Sequence, residues 1–508
     1  MLKMKQSTKR LILLGLLPAL AACSVGPDFK KPLNQTPAAF TRDTHLESVN
    51  PNPNNVDTKW WQEYGSTEIN QLVELALKNN PNIEAGLANL EIAQQNVRAQ
   101  QGFFFPQIGA GYSLTRQKAG TYYQPALNSV PPSSDPNNPP ASQFALTNPI
   151  YNIQTAGLSV GFVPDIWGGN RRAVEGLKAS ANAQSYQLAA LQITIANNVV
   201  SSAINEALLR EQLNAVHELA DLSKRALDHA IRLHEAGYYS AVDLAYAKST
   251  YAQSIAQVPV IEKAREQNLD LLATLCGKYP SEKMLVPSLE TIKEPATLPS
   301  SIPSKFIAQR PDIKIAEENI RIANAQIGIA IANMLPQFNI TGSWGAASEF
   351  FSGLQDSGNV LWSLAAGVNQ PIFQGGTLFA RKRAAQAGLV AAAAQYKGVV
   401  QTAFQNVSDT LYAIDADGRF YKTALQNEQA NKVVYDQTAR QLKVGYISEP
   451  AALQAQVSYL QARIASLQAY GTYLGDTAAL YQALGGGWSE GDGEIYHQTS
   501  SGLPKIFE

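Results

Sequence analysis

Gln107-Ile108-Gly109-Ala110-Gly111-Tyr112-Ser113-Leu114-Thr115 reads as a strand with two unlike faces. Ile108, Ala110, Tyr112 and Leu114 alternate with Gln107, Gly109, Gly111, Ser113 and Thr115. A period of two puts the first set on one side and the second on the other. A second stretch, Ala156, Leu158, Val160 and Phe162 interleaved with Thr155, Gly157, Ser159 and Gly161, repeats the pattern. So does a third: Phe338, Ile340, Gly342 and Trp344 face one way, and Asn339, Thr341 and Ser343 the other. In the fourth, Trp362, Leu364, Ala366 and Val368 alternate with Ser363, Ala365, Gly367 and Asn369.

Working outward, the chain is written twice. Asn80-Pro81-Asn82-Ile83 recurs as Arg310-Pro311-Asp312-Ile313, and Pro106-Gln107 as Pro336-Gln337, both at an offset of 230. Asn89, Ile92 and Ala93 match Asn319, Ile322 and Ala323 at the same offset. Beyond the strands, Pro164, Gly168 and Gly169 match Pro371, Gly375 and Gly376 at an offset of 207. Gly237-Tyr238 and Ser240 match Gly445-Tyr446 and Ser448 at 208. The offset shrinks between the two prolines of each half, where a loop differs in length. Each half runs in the same order: a helical pattern (68–104 in the first half), a proline stop, two strands, a long helical pattern, Gly-Tyr, and a second long pattern. Val400, Phe404, Val407, Leu411 and Ile414 form a heptad seam; its counterpart Ile193, Asn197, Val200, Ile204 and Ala207 carries one polar intruder. No proline occurs between Asn170 and Ala236, so a helix there reaches ~100 Å.

Strands of ~10 residues with one apolar face mark an outer-membrane barrel wall. In lipid the sheet must close, because every backbone group needs a partner. Four strands cannot close; small barrels need about eight. Two copies would give eight strands around a filled interior and three would give twelve around a lumen; an open pore favours three. The competing reading is a soluble antiparallel sheet with its apolar face buried. Phe103 to Phe105, Trp167 and Phe373 cluster at strand ends, where an aromatic girdle belongs. Arg171-Arg172 and Arg381-Lys382-Arg383 follow the Gly-Gly pairs, either meeting lipid headgroups or simply solvated.

Composition agrees. The 508 residues carry 40 basic and 41 acidic side chains, so no basic footprint argues for nucleic acid. The charged fraction is 16%, and no apolar run is long enough for a membrane-spanning helix. Two cysteines exclude a disulfide scaffold. The first of them ends an address. Lys3, Lys5, Lys9 and Arg10 precede an apolar run and then Leu20-Ala21-Ala22-Cys23, the layout of a secretory signal. It resembles a bacterial lipobox, which implies that Cys23 becomes the first mature residue and carries N-acyl and diacylglycerol chains. Ser24, not Asp, favours the outer membrane by the same resemblance. The expected divisions are a signal peptide, 1–22; a lipid-anchored extension, 23–66; a first repeat, 67–286, with its hairpin at 106–166; a Pro-rich linker, 287–303; a second repeat, 304–486, with its hairpin at 336–373; and a tail, 487–508.

Three stretches carry a wider resemblance: Val25-Gly26-Pro27-Asp28-Phe29-Lys30-Lys31-Pro32 after Cys23, Arg310-Pro311-Asp312-Ile313 with Ala316-Glu317, and Ala483-Leu484-Gly485-Gly486-Gly487-Trp488. In this order they resemble the TolC-like outer-membrane factor family, in its NodT-like lipoprotein branch that serves RND-type multidrug efflux. The resemblance implies a mixed α and β membrane protein. It would be a homotrimer with a twelve-stranded outer-membrane barrel continued by a twelve-helix periplasmic tunnel. The implied partners are outer-membrane lipid, a periplasmic adaptor protein and an RND inner-membrane pump. No soluble cofactor and no enzyme activity are implied. The hairpin loops, 117–148 and 347–359, would be external, and the Gly-Tyr turns (Gly237, Tyr238, Gly445, Tyr446) would form the tip that meets the adaptor.

A closed tip needs an iris. The family places a carboxylate and a basic residue just beyond the second turn, but here Gln454 and Val457 stand at those positions. Tyr446, Glu449 and Gln454, or Asp243 and Lys248 beyond the first turn, are the gate candidates. Gly157-Leu158-Ser159-Val160-Gly161 matches a nucleophile elbow but lies within unbroken alternation, so Ser159 reads as a wall residue. His217-Glu218 and His234-Glu235 lack the second histidine of a zinc motif. The functional expectation is a passive efflux duct. The alternatives are a duct for protein or polysaccharide secretion, or a non-channel structural or cell-wall lipoprotein.

Overall fold

Pro81 sets the first departure from the sequence reading. It cannot continue a helix from residue 68 to 104, because its ring disfavours helical backbone at the preceding residue. Asn80 is extended (ψ 123°), and the segment splits into α1 (Thr67–Asn79) and α2 (Pro81–Gly102). The computed structural model describes residues 24–31, 40, 58–118, 150–295, 310–486 and 488. The signal, Cys23, nearly all of the first hairpin's expected outer loop, residues 296–303 of the linker and nearly all of the tail lie outside them.

The remaining elements are β1 (Gln107–Lys118), β2 (Ile150–Phe162), α3 (Gly169–Glu235), α4 (Ala241–Leu275), α5 (Pro311–Ala332), β3 (Gln337–Ser348), β4 (Val360–Asn369), α6 (Thr377–Lys443) and α7 (Glu449–Ala483). Both α3 and α6 are 67 residues long, and both α4 and α7 are 35. The first hairpin continues two residues into the expected loop, since Gln117 and Lys118 belong to β1 and pair with Tyr151 and Ile150. In the second, Ala347 and Ser348 belong to β3, and the loop folds into 3₁₀ turns at Phe351–Gln355 and Ser357–Asn359.

The chain forms two compact units. The first holds Gln95–Lys178 and Arg321–Leu389 with the N-terminal segment through Phe29. Its sheet is antiparallel in the order β1-β2-β3-β4, so β1 and β4 are its edges. The second unit holds Lys30–Gln94, Ala179–Ile320 and the chain from Val390. Hydrogen bonds there link α4 to α3 (Asn268 Nδ2 to the Ser202 carbonyl, 2.9 Å) and α7 to α3 (Gln456 Nε2 to Glu218 Oε1, 3.1 Å). Ring stacking joins α6 to α7 (Tyr435 on Tyr459, 5.6 Å). The helices therefore run α4-α3-α7-α6, with α4 and α6 at the margins.

The core of this unit gathers Trp60, Tyr64, Ile69 and Leu72 against Val200, Ile204, Leu272, Leu474 and Leu480. Trp60 stacks on Tyr481 at 5.0 Å, and Tyr64 Oη meets Thr477 Oγ1 at 2.7 Å. Each such large side chain contributes ~1.5–3 kcal/mol on burial. Cys276 is buried here with its thiol pushed up to about 11 by desolvation, which makes it a small core residue. The predicted heptad residues Val400, Val407 and Ile414 are buried.

The duplication is also visible in contacts. Asn80 Nδ2 donates to the Leu275 carbonyl at the end of α4. Arg310, its counterpart, donates from Nη1 to the Ala483 carbonyl at the end of α7. Each half thus fastens the residue before its first proline to the last turn of its final helix, where orphan carbonyls need donors.

Candidate functional site

The sheet presents the two faces expected of it. Gly109, Ser159, Ser343 and Ser363 lie in one cross-strand row, and Gly111, Gly157 and Gly345 in the next. Ser343 Oγ meets Ser363 Oγ at 2.8 Å. Around these two rows this face carries little side-chain bulk except Leu361, which completes the glycine row opposite Gly345. On the other face Ala110, Leu158, Trp344 and Trp362 form a row, flanked by Ile108, Val160, Gly342 and Leu364. Trp362 and Leu364 are about three-quarters exposed (75% and 74%), and Ile372 and Phe373 beyond the strand end are more exposed still. Ser159 sits between Gly109 and Ser343 in a continuous ladder with no turn, so it has no nucleophile geometry.

At the base of the sheet the N-terminal segment occupies a fitted seat. Trp167 donates Nε1 to the Pro336 carbonyl (2.7 Å) and accepts from the Val25 amide (3.0 Å). Arg172 is buried, not at a headgroup surface. It donates to the Val25 carbonyl (3.2 Å) and pairs with Asp28 (2.9 Å) and Glu175 (2.7 Å). Asn324 donates to the Pro27 carbonyl (2.8 Å), and the Arg321 guanidinium lies 4.6 Å over the Phe29 ring. Arg171 binds Asp165, whose carboxylate also accepts the Asn170 and Arg171 amides (2.9 and 2.8 Å) and so caps α3. Cys23 lies outside the described residues. Its neighbour Ser24 is packed so closely that a β-carbon on Gly168 would fall 2.8 Å from the Ser24 Cα.

The two Gly-Tyr turns are built alike. Gly237 (φ 77°) donates to the His234 carbonyl and Tyr238 to that of Leu233 (3.0 and 2.8 Å). Gly445 (φ 72°) donates to Leu442 and Tyr446 to Gln441 (3.0 and 2.9 Å). This is a helix C-cap in which glycine takes the left-handed conformation at no steric cost. Tyr238 and Tyr446 are left exposed, with Val242, Tyr246 and Val444 beside them.

The gate candidates separate by environment. Asp243 accepts from the Ser240 amide (2.9 Å) and hydroxyl (2.7 Å), completing a capping box at the start of α4. Those bonds hold its carboxyl below the usual aspartate range. Lys248 and Gln454 are exposed. Glu449, first residue of α7, lies 3.9 Å from His229 of α3. It ends a polar series along that seam: Glu449, Gln456 and Arg463 of α7 face His229, Glu218 and Glu211 of α3. Between them Leu219, Leu222 and Leu460 pack together, with Val457 against the cluster. Position 457 therefore belongs to the seam between the two repeats, which accounts for an apolar residue there.

Two carboxyl sites escaped the sequence reading. Burial pushes Glu206 up, and Arg265 at 3.0 Å opposes the shift. Asp476 of α7 is pushed up to about 7 by burial and by Asp417 of α6. Neither has a local motif, since both partners come from another helix.

These features can be set beside known proteins. The model of the outer membrane efflux protein family matches residues 72–278 and 302–486, one block for each repeat. The chain belongs to that family. The outer membrane protein OprJ of Pseudomonas aeruginosa is 28% identical over 94% of this chain and 96% of its own length. The pyoverdine export outer membrane protein OpmQ of the same species is 27% identical over 95% and 98%. The toluene efflux pump outer membrane protein TtgC of Pseudomonas putida is 27% identical over 96% and 97%. In fold, this efflux-family chain is similar to the CmeC outer membrane channel of Campylobacter jejuni (TM-score 0.79, 23% identity, 92% of this chain and 96% of that one). It is also similar to the outer-membrane channel OprN (TM-score 0.77, 24%, 92% and 100%).

Proposed function

We propose that the protein is the outer-membrane duct of a tripartite efflux pump, conducting small toxic compounds outward without an energy source of its own. Three copies would close twelve strands into a barrel and twelve helices into a periplasmic tunnel. The observation that carries this reading is the pair of open margins. The sheet ends at β1 and β4, and the helix layer at α4 and α6, so each needs a further copy to complete it. An unpaired strand edge in hydrocarbon costs several kcal/mol per backbone group, which closure removes. The face of Gly111, Gly157, Gly345 and the serine row would line the lumen, and the tryptophan row would meet lipid.

The exposed tyrosines of the two turns are the proposed contact with a periplasmic adaptor, which joins the duct to an RND inner-membrane pump. Acyl chains on Cys23 would anchor the mature N-terminus. The seat that holds Ser24 beside Gly168 supports this, because an anchor one residue earlier would then start from the base of the sheet. Mature protein purified in detergent is expected to have the mass of three copies and to give stepwise conductance in planar bilayers. A monodisperse single chain that stays silent in bilayers would overturn the proposal.

A further inference from the structure

The apolar face of the sheet carries a concavity of about 530 Å³ that the duct does not use. Its floor is Ala156 and Ala346, neighbours in the row between Tyr112 and Val360. Leu158 and Trp344 wall its lower side, and Leu354 of the second hairpin loop overhangs it. That loop folds back onto the apolar face and is braced there. Phe351 meets the Tyr112 ring edge-on at 6.2 Å, and Asn359 donates to the Gly353 carbonyl at 2.8 Å. The polar atoms lie above the notch, where Tyr112 Oη donates to Gln154 Oε1 (2.9 Å) and Gln154 donates to the Glu349 carbonyl (3.2 Å).

A second observation points the same way. The outward set of β1 runs Ile108, Ala110, Tyr112, Leu114 and then Arg116 and Lys118, both exposed. Four residues of strand separate Tyr112 from Arg116, ~14 Å of rise before tilt. One strand face thus carries an apolar notch and, further along, two cations; in the duct reading these would stand at hydrocarbon depth and at headgroup height. An apolar concavity at that depth has only hydrocarbon available to fill it.

We propose that this face holds a phosphorylated, multiply acylated glycolipid of the outer leaflet. One acyl chain lies in the notch under Leu354, and a phosphate meets Arg116 and Lys118. The inference rests on the duct reading, which puts this face against lipid. The test is native mass spectrometry of the purified assembly titrated with diphosphoryl lipid A, with phosphatidylglycerol as the second arm. Lipid A is expected to be retained at up to one molecule per chain, and phosphatidylglycerol to leave under the same activation. Ala156→Leu, which fills the notch, and Arg116→Gln, which removes a cation at an exposed strand end, should each weaken retention by on the order of tenfold. Equal retention of both lipids, or retention unchanged in both variants, overturns the inference. Bilayer conductance measured on the same samples separates this failure from failure of the duct itself.

Discussion

Gly26 lies against Gly328 so closely that a β-carbon on Gly26 would fall 2.6 Å from the Gly328 Cα. Gly26 also has φ 99°, a conformation closed to most side chains. On the other side of Gly328, a β-carbon would meet the Arg172 Cγ at 2.7 Å. Three groups therefore share one space, and the N-terminal segment can be seated only while both glycines are bare. Gly328→Leu is expected to displace residues 24–31 and to cost ~1–3 kcal/mol by overpacking. Limited proteolysis should then cut the N-terminal segment of the variant at protease levels that leave the native protein intact.

The glycines of the wall divide into two kinds. A β-carbon on Gly345 would lie 2.4 Å from the Ala156 carbonyl oxygen, whereas Gly111 has nothing within 4 Å of that position. Gly345→Val should break the β2·β3 ladder and reduce the yield of folded assembly. Gly111→Trp should leave assembly intact and place bulk in the proposed lumen. Its single-channel conductance is expected to fall to a fraction of the native value, read in planar bilayers. Native conductance from a folded Gly111→Trp assembly would move the lumen to the other face.

The strands and the long helices were legible because their periods depend on neighbours in sequence. Alternation from Gln107 to Thr115 needs no partner to be read, and neither does the absence of proline between Asn170 and Ala236. The break at Asn80-Pro81 could have been read from proline's sterics, yet the periodic run on both sides concealed it. The seat of Val25 to Phe29 was visible only as a resemblance, since Arg172 and Asn324 reach it from distant parts of the chain. The gate was least legible. Asp243 and Glu449 look alike in sequence, but one is occupied as a helix cap and the other faces a histidine of another helix.

That difference gives the gate candidates opposite expectations. His229 and Glu449 join the two repeats at the tip end of the α3·α7 seam, and the pair is ionic only with the imidazole protonated. Glu449→Gln weakens this contact and is expected to shorten the closed intervals of single channels in planar bilayers. Gln454→Ala is expected to raise conductance. Asp243→Ala should act through stability instead, fraying α4 at a cost of ~1 kcal/mol. A conductance rise from Asp243→Ala without loss of thermal stability would return that carboxylate to the gate.

Asp476 and Asp417 make the clearest case for pH-dependent stability. Burial, and then the carboxyl of Asp417 across the α6·α7 contact, raise Asp476 from an ordinary 3.8 to about 7. The folded state then binds a proton that the unfolded state has released across that interval. Its stabilising effect is fully present below the ordinary value and is lost as pH rises through about 7. The melting temperature of the assembly should therefore decline between about pH 4 and about pH 7 and level off above that. Asp476→Asn supplies a neutral hydrogen-bonding group at every pH and should flatten that decline. The two proteins should melt within a degree or so of each other at the acid end and diverge by a few degrees at the alkaline end. Parallel curves with a constant offset would mean that Asp476 is ionised throughout and that its neighbour's charge is neutralised by another group.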